Sequence, residues 1–293
     1  MTSPAPAPRS PLAPAGPLTL RVWGARGSVP APGPETLRHG GNTSCVEVVA
    51  HGRRLVLDAG TGLRALGARL RAQSTAGPLD VLVTHAHADH LSFDSLDRLP
   101  RDIPLFAPPA VARWLHKRGY LHAVPVPPSG EATVGGVTIH AAAAKHMGSR
   151  YGVDRWRSAA NMYLLDAGGV GAFFAGDTAL TPDTHRMVEE RLAGKGRQLD
   201  VALLPIGHAP WWKPGFRRGH LTSDDALELF ERLSARFMIP YHWGVFQHVT
   251  SGPFDAINRL RARLGGHPRE AHVHILEPGE TFELALAGER RRA

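Results

Sequence analysis

Six consecutive residues set the tightest limit on what this chain can become. His85-Ala86-His87-Ala88-Asp89-His90 packs three histidines and a carboxylate together, directly after the apolar run Val81-Leu82-Val83. Alternate side chains of an extended backbone share a side, so His85 and His87 point together, while a turn through Ala88 carries Asp89 and His90 to a second point nearby. Imidazole and carboxylate are common nitrogen and oxygen ligands of divalent metals, so one loop offers ligands to two ions. The competing account is chance clustering among 17 histidines. At the chain's own residue frequencies the pattern H-x-H-x-D-H arises only about 0.003 times per chain of this length. Two metals need about seven protein ligands, so the fold must deliver others to the same place, and strand ends are where they are expected.

The rest of the composition is compatible with that demand. With 293 residues, 43% hydrophobic and 20% charged, the chain fits one large globular domain over residues 18–293 with a full core. Residues 1–17 are dominated by Pro, Ala and Ser, a composition that buries no core, and are expected to form an extended or disordered tail. No apolar run approaches the roughly 18 residues of a membrane span, and the start lacks a secretory pattern, so a cytoplasmic location is expected. Cys45 is the single cysteine, which excludes an intrachain disulfide and thiolate clusters; any metal is held by nitrogen and oxygen. A net charge of +8 favours anionic partners.

Hydrophobic patterning predicts strands at 18–23, 45–50 and 53–57, then the glycine turn Asp58-Ala59-Gly60-Thr61-Gly62 and a helix over 63–73. A strand at 80–83 carries the histidine loop at its carboxyl end, the usual place for ligands in α/β sheets. Further expectations are a helix at 110–118, a hairpin over 132–143 turning at Gly135-Gly136, and strands at 162–165, 170–174, 201–204 and 237–240. Helices are expected at 183–192, from Ser223 to about Leu233, and at 253–264, with a last strand pair after them. Two batches of strands separated by helices imply an α/β fold of four layers, αββα: two mixed sheets face to face, flanked by helices.

Three other segments place a histidine or aspartate where a strand meets a glycine-bearing turn: His146 in Lys145-His146-Met147-Gly148, Asp177 in Ala175-Gly176-Asp177-Thr178, and His242 in Pro240-Tyr241-His242-Trp243-Gly244. Alone, each such histidine reads as a structural one with its hydrogen bonds satisfied; beside the loop, each becomes a candidate ligand. With THAHADH at 84–90, AGDT at 175–178 and PYHWG at 240–244 in this order, the chain resembles the metallo-β-lactamase fold superfamily of hydrolases over roughly residues 18–285. The resemblance implies that His85, His87 and His146 hold one metal, that Asp89, His90 and His242 hold the other, and that Asp177 bridges them. The front, with WGARGSVPAPGPETLRHGGNTSCVEV and LDAGTG, resembles small phosphodiesterase-like members. KHMGSRYGVDRW, LLPIGHAPWW and GHLTSDDAL resemble the branch containing N-acylphosphatidylethanolamine phospholipase D and ascorbate-6-phosphate lactonase.

Two divalent ions close together share a water and lower its pKa, making a bridging hydroxide the nucleophile, so no side-chain nucleophile is required. Asp89 and Asp177 thereby count as catalytic residues. Asp58 is expected to accept a hydrogen bond from a ligand histidine, or else to cap its own turn. His220 is the expected proton donor to a leaving alkoxide, with His208 its rival; Arg217 and Arg218 beside His220 favour the neutral ring unless a carboxylate or substrate phosphate restores the proton. Arg150, Trp211 and Trp212 are expected behind the ligands or against substrate, where guanidinium clamps phosphate and indole covers a flat or apolar group; a solvated basic face with core tryptophans is the plainer account.

These residues predict a dinuclear phosphodiesterase acting on an anionic ester: a nucleotide, a nucleic-acid end or a phospholipid head group. The alternatives are a hydrolase of a lactone or carboxylic ester, phosphorylated or not, an iron oxidoreductase, and a nucleic-acid binding protein with a structural metal. His87, where a carboxylate would mark a diiron electron carrier, argues against that oxidoreductase. Zinc suits so many histidines, and the carboxylates also admit manganese or iron.

Overall fold

The computed structural model describes residues 17–28, 30, 41–72, 77–150, 159–207, 215–244 and 252–284. Its first sheet comprises β1 (Leu18–Gly24), β2 (Cys45–Ala50), β3 (Arg53–Leu57), β4 (Leu79–Leu82), β5 (Leu105–Ala107), β6 (Ala123–Pro125) and β13 (Thr281–Leu284), in the order β13-β1-β2-β3-β4-β5-β6. The second comprises β7 (Glu131–Val134), β8 (Val137–Ala143), β9 (Asn161–Ala167), β10 (Val170–Phe174), β11 (Val201–Pro205) and β12 (Phe237–Tyr241), in the order β12-β11-β10-β9-β8-β7. Both are mixed. β3 through β6 run parallel, as do β10, β11 and β12, and the other pairs are antiparallel.

Alternation along the strands builds the layers. In β3, Leu55 and Leu57 face the second sheet, whereas Val56 faces outward; in β10, Phe174 points inward and Phe173 outward. The core between the sheets joins Leu20, Val48 and Leu57 to Ile139, Leu165 and Leu203. Outside the first sheet, Val56 and Val81 pack on α1 (Leu63–Ala72), α2 (Phe93–Leu96) and α3 (Pro109–Lys117) through Leu63, Leu96 and Leu115. Outside the second, Leu164, Phe173 and Leu204 pack on α4 (Arg186–Arg191), α5 (Ser223–Arg232) and α6 (Asp255–Leu264) through Val188, Phe230 and Leu260. Each fully buried Leu or Phe contributes about 1.5–3 kcal/mol, so a one-residue slip in a strand would turn its apolar set the wrong way. The four-layer αββα expectation holds.

Some boundaries differ from those read in the sequence. The helix expected from residue 183 begins at Arg186, because the Thr181 and Thr184 hydroxyls, 2.9 Å apart, tie 181–184 into a turn. Among the described residues, the expected final strand pair is one strand, β13 on the edge beside β1, preceded by a single bridge between Val273 and Met238. The short strands β5 and β6 carry too little pattern to predict. No helix among the described residues is long and apolar enough to cross a membrane.

β8 runs antiparallel to β9, which runs antiparallel to β10, so β8, β10 and β12 all end at the same edge of their sheet. Those ends carry His146, Asp177 and His242, and they meet the histidine loop that follows β4 of the first sheet.

Candidate metal centre

Two groups of donor atoms form at this edge. His85, His87, His146 and Asp177 make one and Asp89, His90 and His242 the other, each with its donor atoms within 4.8 Å of one another. Asp177 lies between them. Its Oδ2 is 3.9 Å from Nε2 of both His85 and His146 and 3.5 Å from that of His90, while Oδ1 is 3.3 Å from Nε2 of His242. Asp89 Oδ2 completes the second group, 3.3 Å from His242 Nε2 and 3.6 Å from His90 Nε2. Donors about 2.0–2.1 Å from a tetrahedral cation stand about 3.4 Å apart, close to these separations. The arrangement brings together all seven residues expected as ligands.

The opposite side of each ring explains why the donors face inward. A carbonyl oxygen only accepts, so His146 must carry its proton on Nδ1 to bond Gly219 O at 2.8 Å. His90 Nδ1 donates to Asp58 Oδ2 at 2.6 Å. The Thr84 hydroxyl donates to Asp58 Oδ1 at 2.8 Å and so accepts from His85 Nδ1 at 3.0 Å. With Nδ1 protonated, Nε2 of all three rings presents a lone pair. Among the described residues, the buried atoms His85 Nε2, His90 Nε2 and Asp177 Oδ1 make no hydrogen bond. Unsatisfied buried polar atoms are costly, and three converging on one spot fit a cation that all of them ligate.

Charge agrees with this reading. Burial pushes His85 well below the usual imidazole range, helped by His90, and burial brings His146 down to about 4. Asp177 stays well below the carboxylate range: burial opposes ionisation, but His242 and His90 outweigh it. Neutral imidazole and ionised carboxylate are the states a metal binds. His90 is the exception: burial is overcome by Asp177, Asp58 and Asp89, which hold the ring well above its usual range, so a cation binding at its Nε2 displaces a proton. The centre is therefore negative and draws positive charge.

The backbone is fitted to these side chains. Asp58 and His242 take positive φ values of 63° and 65°, a conformation uncommon outside glycine and found at functional turns. A Cβ on Gly27 would sit 2.5 Å from the His242 ring, so glycine there lets the ring lie against the backbone. Ser28 N donates to Asp89 Oδ2 at 2.7 Å.

His220 and Arg150 hold different positions. His220 Nε2 is 3.5 Å from Asp177 Oδ2, and its ring stacks on Phe216 at 4.7 Å and meets His146 edge-on. Burial lowers its pKa, but the bond and charge of Asp177 raise it more; the carboxylate needed to keep the ring protonated is thus present. Arg150 donates to Leu91 O at 2.8 Å and to Ala86 O at 3.3 Å, with its guanidinium 5.1 Å from the Phe93 ring. Of the two roles expected for it, this geometry matches bracing the histidine loop. His208, Trp211 and Trp212 lie outside the described residues. Thr84, Ser28 and Gly219 stand inside motifs of the sequence, but their roles are not legible there, for a hydroxyl next to a ligand and two backbone groups reveal no contact by residue type.

A cleft of about 1070 Å³ opens over the first donor group, with His87, His146 and His220 in its wall and Lys145, Arg217 and Arg218 beside them. Met147, 61% exposed, and Leu180 supply an apolar side.

Known proteins resemble this chain in sequence and in fold. The family model for the beta-lactamase superfamily domain matches residues 53–243. A protein of Deinococcus radiodurans named UPF0173 metal-dependent hydrolase is 30% identical over 71% of this chain and 81% of its own length. The mitochondrial N-acyl-phosphatidylethanolamine-hydrolyzing phospholipase D of Saccharomyces cerevisiae is 31% identical over 69% of this chain, but over only 44% of its own length. Among solved structures, the metallo-beta-lactamase fold protein YhfI of Bacillus subtilis superposes with a TM-score of 0.66 at 16% identity, covering 92% of this chain and 100% of that one. The chain belongs to the metallo-β-lactamase superfamily and is one of its metal-dependent hydrolases.

Proposed function

We propose that this protein is a dinuclear phosphodiesterase, with His85, His87, His146 and Asp177 around one divalent cation and Asp89, His90, His242 and Asp177 around the other. Zinc suits the histidine-rich donor set best. Cations at such a pair of sites supply Lewis acidity, activating water and polarising the phosphoryl group. Asp177, with an oxygen toward each donor group, would contribute to holding both cations. His220 keeps a proton through Asp177 and faces the cleft, where it serves as the acid for a leaving alkoxide. Phe216, stacked beneath the ring, fixes its aim. Arg217 is oriented by Asp225 at 3.2 Å and by the Thr222 hydroxyl at 3.3 Å.

The observation that carries the choice of substrate is the cationic cleft: Lys145, Arg217 and Arg218 beside His146 and His220 favour an anionic ester over a neutral lactone. The yeast relative, by its name, hydrolyses a phospholipid diester, which supports the same class. A panel of bis(p-nitrophenyl) phosphate, a homoserine lactone and a thioester tests the reading. Hydrolysis of the phosphate with loss of activity in Asp89→Ala is expected; turnover of the lactone or thioester alone would refute the phosphodiester assignment.

A further inference from the structure

The diester itself does not account for all the positive charge around the cleft. On the reading above, two divalent cations outweigh Asp58, Asp89 and Asp177 by one charge, so the single charge of a phosphodiester is met at the centre. Lys145 and Arg218 stand outside that centre, one beside each of two wall elements: Lys145 immediately before His146, and Arg218 immediately before Gly219, whose carbonyl holds His146. Arg217, between Gly215 and Arg218 in the wall, is partly neutralised by Asp225. Among the described residues, no Asp or Glu lines the cleft and no carboxylate forms an ion pair with Lys145 or Arg218. Surface cations are ordinarily interspersed with acids. Cations gathered on one concave wall without them concentrate the field there and draw a further anion.

We propose that the cleft carries a second anion subsite, formed by Lys145 and Arg218, for a phosphate or carboxylate on the substrate beyond the scissile diester. Lysine acts as a point charge and arginine as a two-pronged donor, so a phosphomonoester, which brings two charges and three acceptor oxygens, is the group this pair matches best. Met147 and Leu180, on the same cleft, offer an apolar surface to a short hydrocarbon connection between the two groups. The substrate class is therefore a diester whose organic arm ends in a phosphomonoester.

This inference rests on the phosphodiesterase reading, and the test separates the two. The metal-loaded protein is given p-nitrophenyl propyl phosphate and p-nitrophenyl 3-phosphopropyl phosphate. Nitrophenol release and 31P NMR are followed together, so that cleavage on either side of phosphorus is seen. The terminal phosphate is expected to raise kcat/KM about tenfold, chiefly through KM. That preference is expected to fall to about one in Lys145→Ala and in Arg218→Ala, while Arg218→Lys keeps part of it. Binding of propyl phosphate, read by 31P line broadening, should weaken in the same two alanine variants. Equal kcat/KM for the two esters, turnover of neither while bis(p-nitrophenyl) phosphate is cleaved, or a preference undiminished in both variants would overturn the subsite. Failure to hydrolyse even bis(p-nitrophenyl) phosphate would instead strike the phosphodiesterase reading itself.

Discussion

Oδ2 of Asp58 lies 2.6 Å from Nδ1 of His90, and both side chains are fully buried. The same carboxylate takes the Thr84 hydroxyl on its other oxygen and the Ser44 hydroxyl at 3.1 Å. It therefore orients two neighbouring histidines, His90 directly and His85 through Thr84, although it faces neither donor group itself. Asparagine tolerates the positive φ of this position but is a weaker acceptor without charge. Asp58→Asn is expected to fold and to bind zinc about 10–100-fold more weakly, measured by competition with a chromogenic chelator. Undiminished affinity would show that the histidines hold their orientation without it.

His220 has a role that a leaving group can report. A nitrophenolate leaves without a proton, whereas an alkoxide needs one. His220→Gln should lower kcat for alkyl phosphodiesters by about 10²–10⁴-fold and for bis(p-nitrophenyl) phosphate far less. Equal losses on both substrates would assign the ring to binding or to structure.

Away from the centre, Arg197 grips Asp166 through two bonds of 2.5 and 2.8 Å at the turn between β9 and β10. Arg197, with burial opposing, holds the Asp166 carboxyl below its usual range. The folded pKa lies under the unfolded one, so the pair stabilises the protein above about pH 4, the unfolded value. That contribution disappears as pH falls through the folded value. Asp166→Asn should cost about 1 kcal/mol near neutrality, since the pair is partly exposed to solvent screening. In urea melts the gap from the parent should close as the pH drops below about 4.

What the sequence discloses follows from how local each signal is. His85, His87, Asp89 and His90 lie on one loop, and His146, Asp177 and His242 each follow a strand, so pattern and spacing expose all seven. Thr84 and Ser28 could not be read that way. Ser28 meets Asp89 across 61 positions and Gly219 meets His146 across 73, contacts that exist only once the sheets have packed. Arg150 shows the same limit: its charge suggested phosphate, but the packing of Phe93 and the carbonyls of Ala86 and Leu91 turn it to the back of the loop. The strands β5 and β6, three residues each, are fixed by their neighbours and not by periodicity. By contrast β3, β10 and β11 were legible because burial on both faces demands unbroken apolar runs.

Asp177, facing both donor groups, is proposed to join two metal sites in one centre, and metal stoichiometry reports whether it does. Inductively coupled plasma mass spectrometry on the purified, zinc-equilibrated protein should give about two ions per chain, and Asp177→Ala should lose both sites together, falling well below one. A parent protein that binds no metal, or an Asp177→Ala variant that still holds two ions, would contradict the account.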